Sequence, residues 1–103
     1  MGPDTLRAMD RYRVRTAIIG ASGLNAEGVS EALFRAGEVY GAMVERSEQS
    51  VVLADSDKFD KRALVLLTGW SAAITLVTDV APQGALRAAL DRGGTQVIVA
   101  SGN

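Results

Sequence analysis

Two short apolar runs, each ending abruptly in small and polar residues, constrain the fold of this chain most strongly. The first is residues 18–19, followed by Gly20-Ala21-Ser22-Gly23, and the second is residues 51–54, followed by Asp55-Ser56-Asp57-Lys58. Short apolar runs with this punctuation predict buried strands. In an open α/β sheet, ligands bind in the loops just beyond the carboxyl ends of the strands, so two such endings predict one shared pocket.

The hydrophobic pattern of the remaining sequence predicts helices between further strands. We predict strands over 16–19, 50–54, 63–67, 74–78 and 95–100, helices over 31–46 and 82–92, a loop over 25–30, and a further helix that begins at Asp4 or Thr5. Strands that alternate with helices of this length predict the α/β class with a mostly parallel sheet.

Two glycines lie inside the predicted helix over residues 31–46. Gly37 and Gly41 each weaken a helix by about 1 kcal/mol relative to alanine. Either the helix is broken near Gly37, or a close neighbour requires the small residues.

The composition limits the chain to one modest core and removes several kinds of chemistry. Its 103 residues are 48% apolar, and 11 basic residues against 12 acidic ones leave a formal charge of −1, which predicts no attraction to nucleic acid or to an anionic membrane. The absence of cysteine and histidine excludes disulfides, thiolate nucleophiles, most zinc sites and a histidine base. We therefore expect no metal and no cofactor.

No apolar run approaches the roughly 20 residues that cross a bilayer, so we expect a cytoplasmic protein.

The glycine-rich segment Gly20-Ala21-Ser22-Gly23, with Gly28 five residues further on, allows two interpretations. Its spacing differs from that of the dinucleotide-binding fingerprint. Exposed backbone N–H groups and the Ser22 hydroxyl could bind a sugar or phosphate oxygen. Alternatively, the segment is a tight turn that needs glycine for a positive φ and binds nothing.

The charged segment Asp55-Ser56-Asp57-Lys58 partly matches three known kinds of site. Phosphatases of the haloacid-dehalogenase type pair two aspartates in this way but have threonine or valine where Lys58 stands. Response-regulator receivers need an acidic pair after the first strand, and calcium loops need a glycine turn and a distal glutamate in register. This sequence has neither arrangement. The remaining interpretation is a loop in which Lys58 supplies a positive charge to an anionic ligand and Asp55 orients hydroxyl groups. The alternative is a solvated charged turn.

The pair Thr78-Asp79 ends the next predicted strand. We expect this pair to cap the turn into the helix that begins near Pro82. The alternative is that the pair faces the same crevice as the Asp55 segment.

Five blocks of the sequence occur in an order and spacing typical of one family. They are Ala17-Ile18-Ile19-Gly20-Ala21-Ser22-Gly23-Leu24, Glu27-Gly28, Glu38-Val39 with Ala42-Met43, Val51-Val52-Leu53-Ala54-Asp55-Ser56-Asp57-Lys58-Phe59, and Leu76-Val77-Thr78-Asp79. Together they resemble the effector-sensing domain of the DeoR family of bacterial transcriptional regulators. The resemblance covers nearly the whole chain, but only the carboxyl-terminal part of that family's protein.

The resemblance implies a fold, a ligand and a partner. The fold would be three-layer α/β with a mostly parallel sheet, similar to ribose-phosphate isomerase and glucosamine-phosphate deaminase and incomplete at its N-terminal side. Residues 1–103 would form one partial effector-sensing domain without a DNA-binding helix-turn-helix. A sugar phosphate in the strand-end loops would control DNA binding by an attached or partner winged helix-turn-helix. Because sheet surface and a sheet edge would be exposed, we also predict self-association.

Two features depart from the proteins that the chain resembles. Ile19 and Ser22 stand where the isomerases have aspartates, so we do not expect proton transfer between sugar carbons. Tyr40 stands where many members of the family have a lysine that reaches the effector.

We therefore predict a non-enzymatic sugar-phosphate sensor without catalytic residues. The predicted effector-binding residues are Gly20, Ala21, Ser22, Gly23, Gly28, Asp55, Ser56 and Lys58. One alternative is a vestigial sugar-phosphate isomerase or phosphatase-like hydrolase that uses Asp55 and Asp57. The other is an interaction or oligomerisation fragment that binds no ligand.

Overall fold

A computed structural model of the protein describes residues 14–100. The strands are β1 (Val14–Gly20), β2 (Gly23–Asn25), β3 (Gly28–Glu31), β4 (Ser47–Leu53), β5 (Val65–Thr68), β6 (Ile74–Thr78) and β7 (Gln96–Val99). The helices are α1 (Phe34–Glu45) and α2 (Gly84–Gly93), and a single 3-10 turn (Ser56–Lys58) follows β4. The helix predicted from Asp4 or Thr5 lies outside the described residues.

A four-stranded sheet with the order β1-β4-β6-β7 is parallel throughout. Gly20 at the end of β1 pairs with Leu53 of β4, Leu53 pairs with Val77 of β6, and Thr78 pairs with Val99 of β7. The carboxyl ends of all four strands therefore meet at one edge. The predicted α/β class with a parallel sheet is confirmed.

The prediction of a loop over residues 25–30 was wrong, because these residues belong to a hairpin of β2 and β3. At its turn, the Asn25 Oδ1 atom accepts hydrogen bonds from the N–H groups of Glu27 at 2.9 Å and Gly28 at 3.2 Å. Gly28 has a φ of 142°, and a Cβ atom there would lie 2.0 Å from the Thr68 carbonyl oxygen. The turn thus requires glycine. The two strands that it joins are too short to show a periodicity signal in the sequence.

The third predicted strand does not join the parallel sheet. It forms β5, which pairs antiparallel with β3 and completes a second sheet with the order β2-β3-β5. The last two predicted strands are β6 and β7, as expected.

The hydrophobic core lies between the two sheets and the two helices. Its buried residues are Ile19, Leu24, Val29, Val52, Leu67, Ile74, Leu76, Leu86 and Leu90. Helix α1 is unbroken, and a Cβ atom on Gly37 would lie only 2.7 Å from Val65 Cβ. A close neighbour, and not a break in the helix, therefore explains Gly37.

Helix α2 begins two residues after Pro82 and ends at Gly93, and its C-cap residue Gly94 has a φ of 75°. Glycine in this left-handed conformation is a common way for a helix to end. None of the helices in the described part of the chain has the length and apolar character needed to span a bilayer.

The second face of the parallel sheet is open among residues 14–100. Ile18 is 62% exposed, Leu53 48% and Ile98 44%, and the strand register places all three on this face. We call these three residues and the half-buried Val51 and Val77 the open apolar face. Parallel sheets are normally covered on both faces.

Candidate functional site

An open cleft of about 400 Å³ lies at the carboxyl edge of the parallel sheet. Its lining comes from the ends of all four parallel strands and from the loop after β4: Gly20, Ala21, Leu53, Ala54, Asp55, Lys58, Val77, Thr78, Asp79 and Ala100. The cleft therefore has the position at which ligands bind in open α/β sheets.

Four of the eight sequence-predicted binding residues line this cleft. Gly20 and Ala21 contribute the end of β1, and Asp55 and Lys58 contribute the loop after β4. A side chain on Gly20 would meet only the Leu53 carbonyl oxygen, at 3.9 Å. Glycine thus leaves the end of β1 open to a ligand without being required by the packing.

The loop after β4 is tied to neighbouring elements at both ends. The Ala54 N–H donates a 3.1 Å hydrogen bond to the Val77 carbonyl of β6, and the Asp60 N–H donates a 2.7 Å bond to the Leu24 carbonyl of β2. Asp60 has a φ of 59°, in the left-handed region that aspartate tolerates better than most residues. This tie and the left-handed residue turn the chain back toward the second sheet.

Asp79 bonds to the 3-10 turn and not to helix α2. Its Oδ1 atom accepts a 2.7 Å hydrogen bond from the Ser56 N–H and its Oδ2 atom accepts a 3.2 Å bond from the Ser56 hydroxyl. Thr78 donates a third bond from its hydroxyl to Oδ1 at 3.3 Å. The expectation that Thr78-Asp79 caps the turn into α2 was wrong, since the Asp79 carboxylate bonds to Ser56 and the N-cap of α2 is Gln83, without a side-chain cap bond. The alternative, that Asp79 faces the crevice, describes the structure.

The same hydrogen bonds set the ionisation of Asp79. The Ser56 N–H is the largest cause that lowers the pKa of this carboxyl below its usual 3.8, and the hydroxyls of Ser56 and Thr78 act in the same direction. Asp79 is therefore a carboxylate at neutral pH, and it holds Ser56, a predicted binding residue that does not itself line the cleft.

The two aspartates of the charged segment differ in their relation to the cleft. Asp55 lines the cleft and makes no capping bond to the turn, whereas exposed Asp57 is absent from the cleft lining. A paired-aspartate mechanism needs both carboxylates at one reacting atom. This geometry counts against the phosphatase-like alternative.

Three further predicted binding residues do not line the cleft: Ser22, Gly23 and Gly28. The Ser22 hydroxyl donates to the Glu31 carboxylate and accepts a 3.1 Å bond from the Ala32 N–H. A Cβ atom on Gly23 would lie 2.5 Å from the Lys61 carbonyl oxygen, and Gly28 is buried in the hairpin turn. These three residues join β2 and β3 to their neighbours, outside the lining of the cleft.

Of the three positions that depart from the resembled proteins, the other two, Ile19 and Tyr40, also lie away from the cleft lining. Ile19 is buried in the core, and Tyr40 is half-buried on α1, where it packs against the same core. Within residues 14–100, no group of three or more carboxylates is placed to hold a metal ion.

Sequence reasoning left Thr78, Asp79 and Ala100 out of the predicted binding set. A signal for the first two was present, because they end a predicted strand of the same sheet as Ala54-Asp55. The rule that carboxyl ends of parallel strands share one edge would have assigned them to the cleft. Ala100 ends the last predicted strand, and the same rule applies to it.

Comparisons with known proteins show the family of the chain. The family model described as the DeoR C terminal sensor domain matches residues 1–80. The HTH-type transcriptional repressor GlcR of Bacillus subtilis (strain 168) is 28% identical over 98 residues, which are 95% of this chain and 38% of that protein. The glycerol-3-phosphate regulon repressor of Haemophilus influenzae is 29% identical over 85 residues, 82% of this chain and 33% of that protein.

This chain thus spans less than two fifths of the length of either repressor. No solved structure matches it significantly, so the specific likeness to the isomerase and deaminase fold stays a prediction. The matched segment includes β1 to β6 and hence the loops of Asp55, Lys58 and Asp79. The chain belongs to the family of DeoR C-terminal sensor domains, whose role is regulatory effector sensing.

Proposed function

We propose that the cleft binds a sugar phosphate or polyol phosphate as a regulatory effector. The observation that carries this proposal is the charge of the lining. Among the described residues that line the cleft, Lys58 is the basic one, and Asp55 and Asp79 are acidic. A lysine can pair with a phosphate, while a carboxylate accepts hydrogen bonds from hydroxyl groups. A ligand that carries a phosphate for the lysine and separate hydroxyl groups for the carboxylates matches this set.

The relatives support the same ligand class. The Haemophilus influenzae repressor is named for the glycerol-3-phosphate regulon, and both relatives are named as repressors. In this proposal, the effector changes the affinity of a winged helix-turn-helix, attached or in a partner, for DNA. A ligand shifts such an equilibrium only through different affinities for its two states.

We further propose that the site binds its effector without converting it. The lowered pKa keeps Asp79 ionised, which makes it a poor general acid at neutral pH. Ile19, at one of the isomerase aspartate positions, is in the core. The enzymatic alternative requires turnover of a sugar phosphate that Asp55→Asn abolishes.

Calorimetric titration with glycerol 3-phosphate tests the binding proposal. Lys58→Ala removes the cleft lysine, and Lys61→Ala removes an exposed lysine three residues away that does not line the cleft. We expect Lys58→Ala to weaken binding at least tenfold and Lys61→Ala to change it by less than twofold. Equal effects of the two variants would contradict a specific phosphate contact. Absence of binding to the parent chain would favour the interaction-fragment alternative.

We also propose that the chain self-associates, with a second copy covering the open apolar face. Ile18, Leu53 and Ile98 expose roughly half of their surface there. Contiguous apolar surface on a sheet favours association because burial removes it from water.

A further inference from the structure

We propose that Asp79 is the positioning residue of the cleft: its carboxylate holds the Ser56–Lys58 turn at the carboxyl end of β6 and so fixes Lys58 for the effector's phosphate. This inference rests on the proposed function and adds a residue that acts through another one. It assigns different roles to the two carboxylates of the cleft.

The turn that carries Lys58 is weak by itself. It consists of one 3-10 turn, in which the N–H groups of Lys58 and Phe59 donate to the carbonyls of Asp55 and Ser56, each at 3.0 Å. Asp55 stands at the N-cap but contributes no side-chain cap bond. Short 3-10 turns have poorer hydrogen-bond geometry than α-helices, so such a turn needs support from outside.

Asp79 supplies that support from the neighbouring strand. Its two oxygens bond the backbone N–H and the hydroxyl of Ser56 at 2.7 and 3.2 Å. Two bonds to one residue restrain both the position and the rotation of the turn. Because Asp79 is ionised, these bonds are charge-assisted and stronger than bonds between neutral groups.

The hydrogen bonds of Asp79 also leave it little capacity for a ligand. A carboxylate offers about four acceptor sites, and Ser56 and Thr78 occupy three of those of Asp79. Asp55 makes no capping bond and lines the same cleft, so its oxygens are the better acceptors for effector hydroxyls. Asp79 therefore acts on the ligand through Lys58.

Three variants separate positioning from direct contact. Asp79→Ala removes both bonds to Ser56, and Asp79→Asn keeps an oxygen that accepts from the Ser56 N–H. As a control, Asp57→Asn makes the same charge change as Asp79→Asn, but within the Ser56–Lys58 turn and at a residue outside the cleft lining. Glycerol 3-phosphate is the calorimetric probe. We expect at least tenfold weaker binding for Asp79→Ala, at most threefold for Asp79→Asn and less than twofold for Asp57→Asn.

Amide NMR of the unliganded proteins provides a readout that is independent of ligand. Asp79→Ala should shift the Ser56 amide signal upfield and lower the heteronuclear NOE of residues 56–58, whereas the amides of helix α2 stay unchanged. Full affinity in Asp79→Ala would overturn the proposal. Equal losses in the alanine and asparagine variants, with an unchanged turn, would also overturn it, because Asp79 would then contact the ligand directly.

The same experiment distinguishes this proposal from the proposed function. If the parent chain does not bind the probe, the proposed function fails, and the role of Asp79 in binding fails with it. If the parent binds and Asp79→Ala binds equally well, only the positioning role fails.

Discussion

We expect the loop that carries Lys58 to be sensitive to acid through Asp79. Its pKa is lowered, chiefly by the Ser56 N–H. A carboxyl group with a lower pKa in the folded state stabilises the fold above its unfolded pKa, and this contribution is lost as the pH falls through the folded pKa. The other charged groups on this cleft are Asp55 and Lys58.

We therefore expect the Ser56 amide shift to be constant above about pH 5 and to move upfield as the pH falls through the lowered pKa of Asp79. A pH series of amide NMR spectra measures this. Asp79→Asn should leave the Ser56 signal flat over the same range. A Ser56 signal that titrates equally in the parent and in Asp79→Asn would assign the transition to another carboxyl group.

Substitutions of Asp60 test the backbone conformation of the same loop. Its φ is 59°, which costs a β-branched residue about 1–2 kcal/mol more than glycine. We expect Asp60→Val to lower the free energy of unfolding by about that amount and Asp60→Gly to change it by less than about 0.5 kcal/mol. Urea unfolding provides the values, with Asp57→Val as a control at an exposed position of the same loop. Equal losses in Asp60→Val and Asp57→Val would contradict a conformational cause.

Helix α1 contains two glycines whose surroundings are opposite. A Cβ atom at Gly37 would meet three side-chain atoms of Val65 within 2.9 Å, whereas one at Gly41 would meet nothing within 4 Å. We expect Gly37→Ala to destabilise the protein by about 1–3 kcal/mol through overpacking. Gly41→Ala should stabilise it by about 0.5–1 kcal/mol, because alanine is the better helix former. Thermal or urea unfolding of the two variants measures these changes in stability. A stabilising Gly37→Ala would contradict this packing of α1 on β5.

The sequence pattern was sufficient to locate the elements that have a clear apolar pattern. The predicted helix over 82–92 is Gly84–Gly93, and the predicted strand over 74–78 is Ile74–Thr78. The hairpin of β2 and β3 was missed because strands of three and four residues carry too few side chains for a period-2 pattern. Turn residues at Asn25 and Gly28, between Leu24 and Val29, were the usable signal.

The assignment of residues to the cleft was predictable only in part. The strand-end rule identified Gly20, Ala21, Asp55 and Lys58 as lining residues. The bond between Asp79 and Ser56 joins residues 23 positions apart, and no local pattern encodes it. The same residue types also satisfy the rules for a helix cap, so geometry was needed to choose between the two.

The open apolar face leads to a prediction about the oligomeric state of the chain. We expect the parent to sediment above the monomer mass, and we expect Ile18→Gln, at a side chain 62% exposed on this face, to shift it toward monomer. Leu64→Gln is the matched control, because Leu64 is 71% exposed and lies outside the parallel sheet. Analytical ultracentrifugation provides the masses. A monomeric parent, or equal effects of the two variants, would contradict association through this face.

A two-dimensional NMR titration with glycerol 3-phosphate and glucose 6-phosphate tests most directly whether the cleft is an effector site. The amides of the protein and the signals of the phosphorylated compounds are followed in the same samples. We predict shifts that are confined to residues 20–21, 54–58 and 77–79, with the compounds chemically unchanged. No shifts, or shifts outside these loops, would contradict effector binding in this cleft, and conversion of either compound would identify the protein as an enzyme.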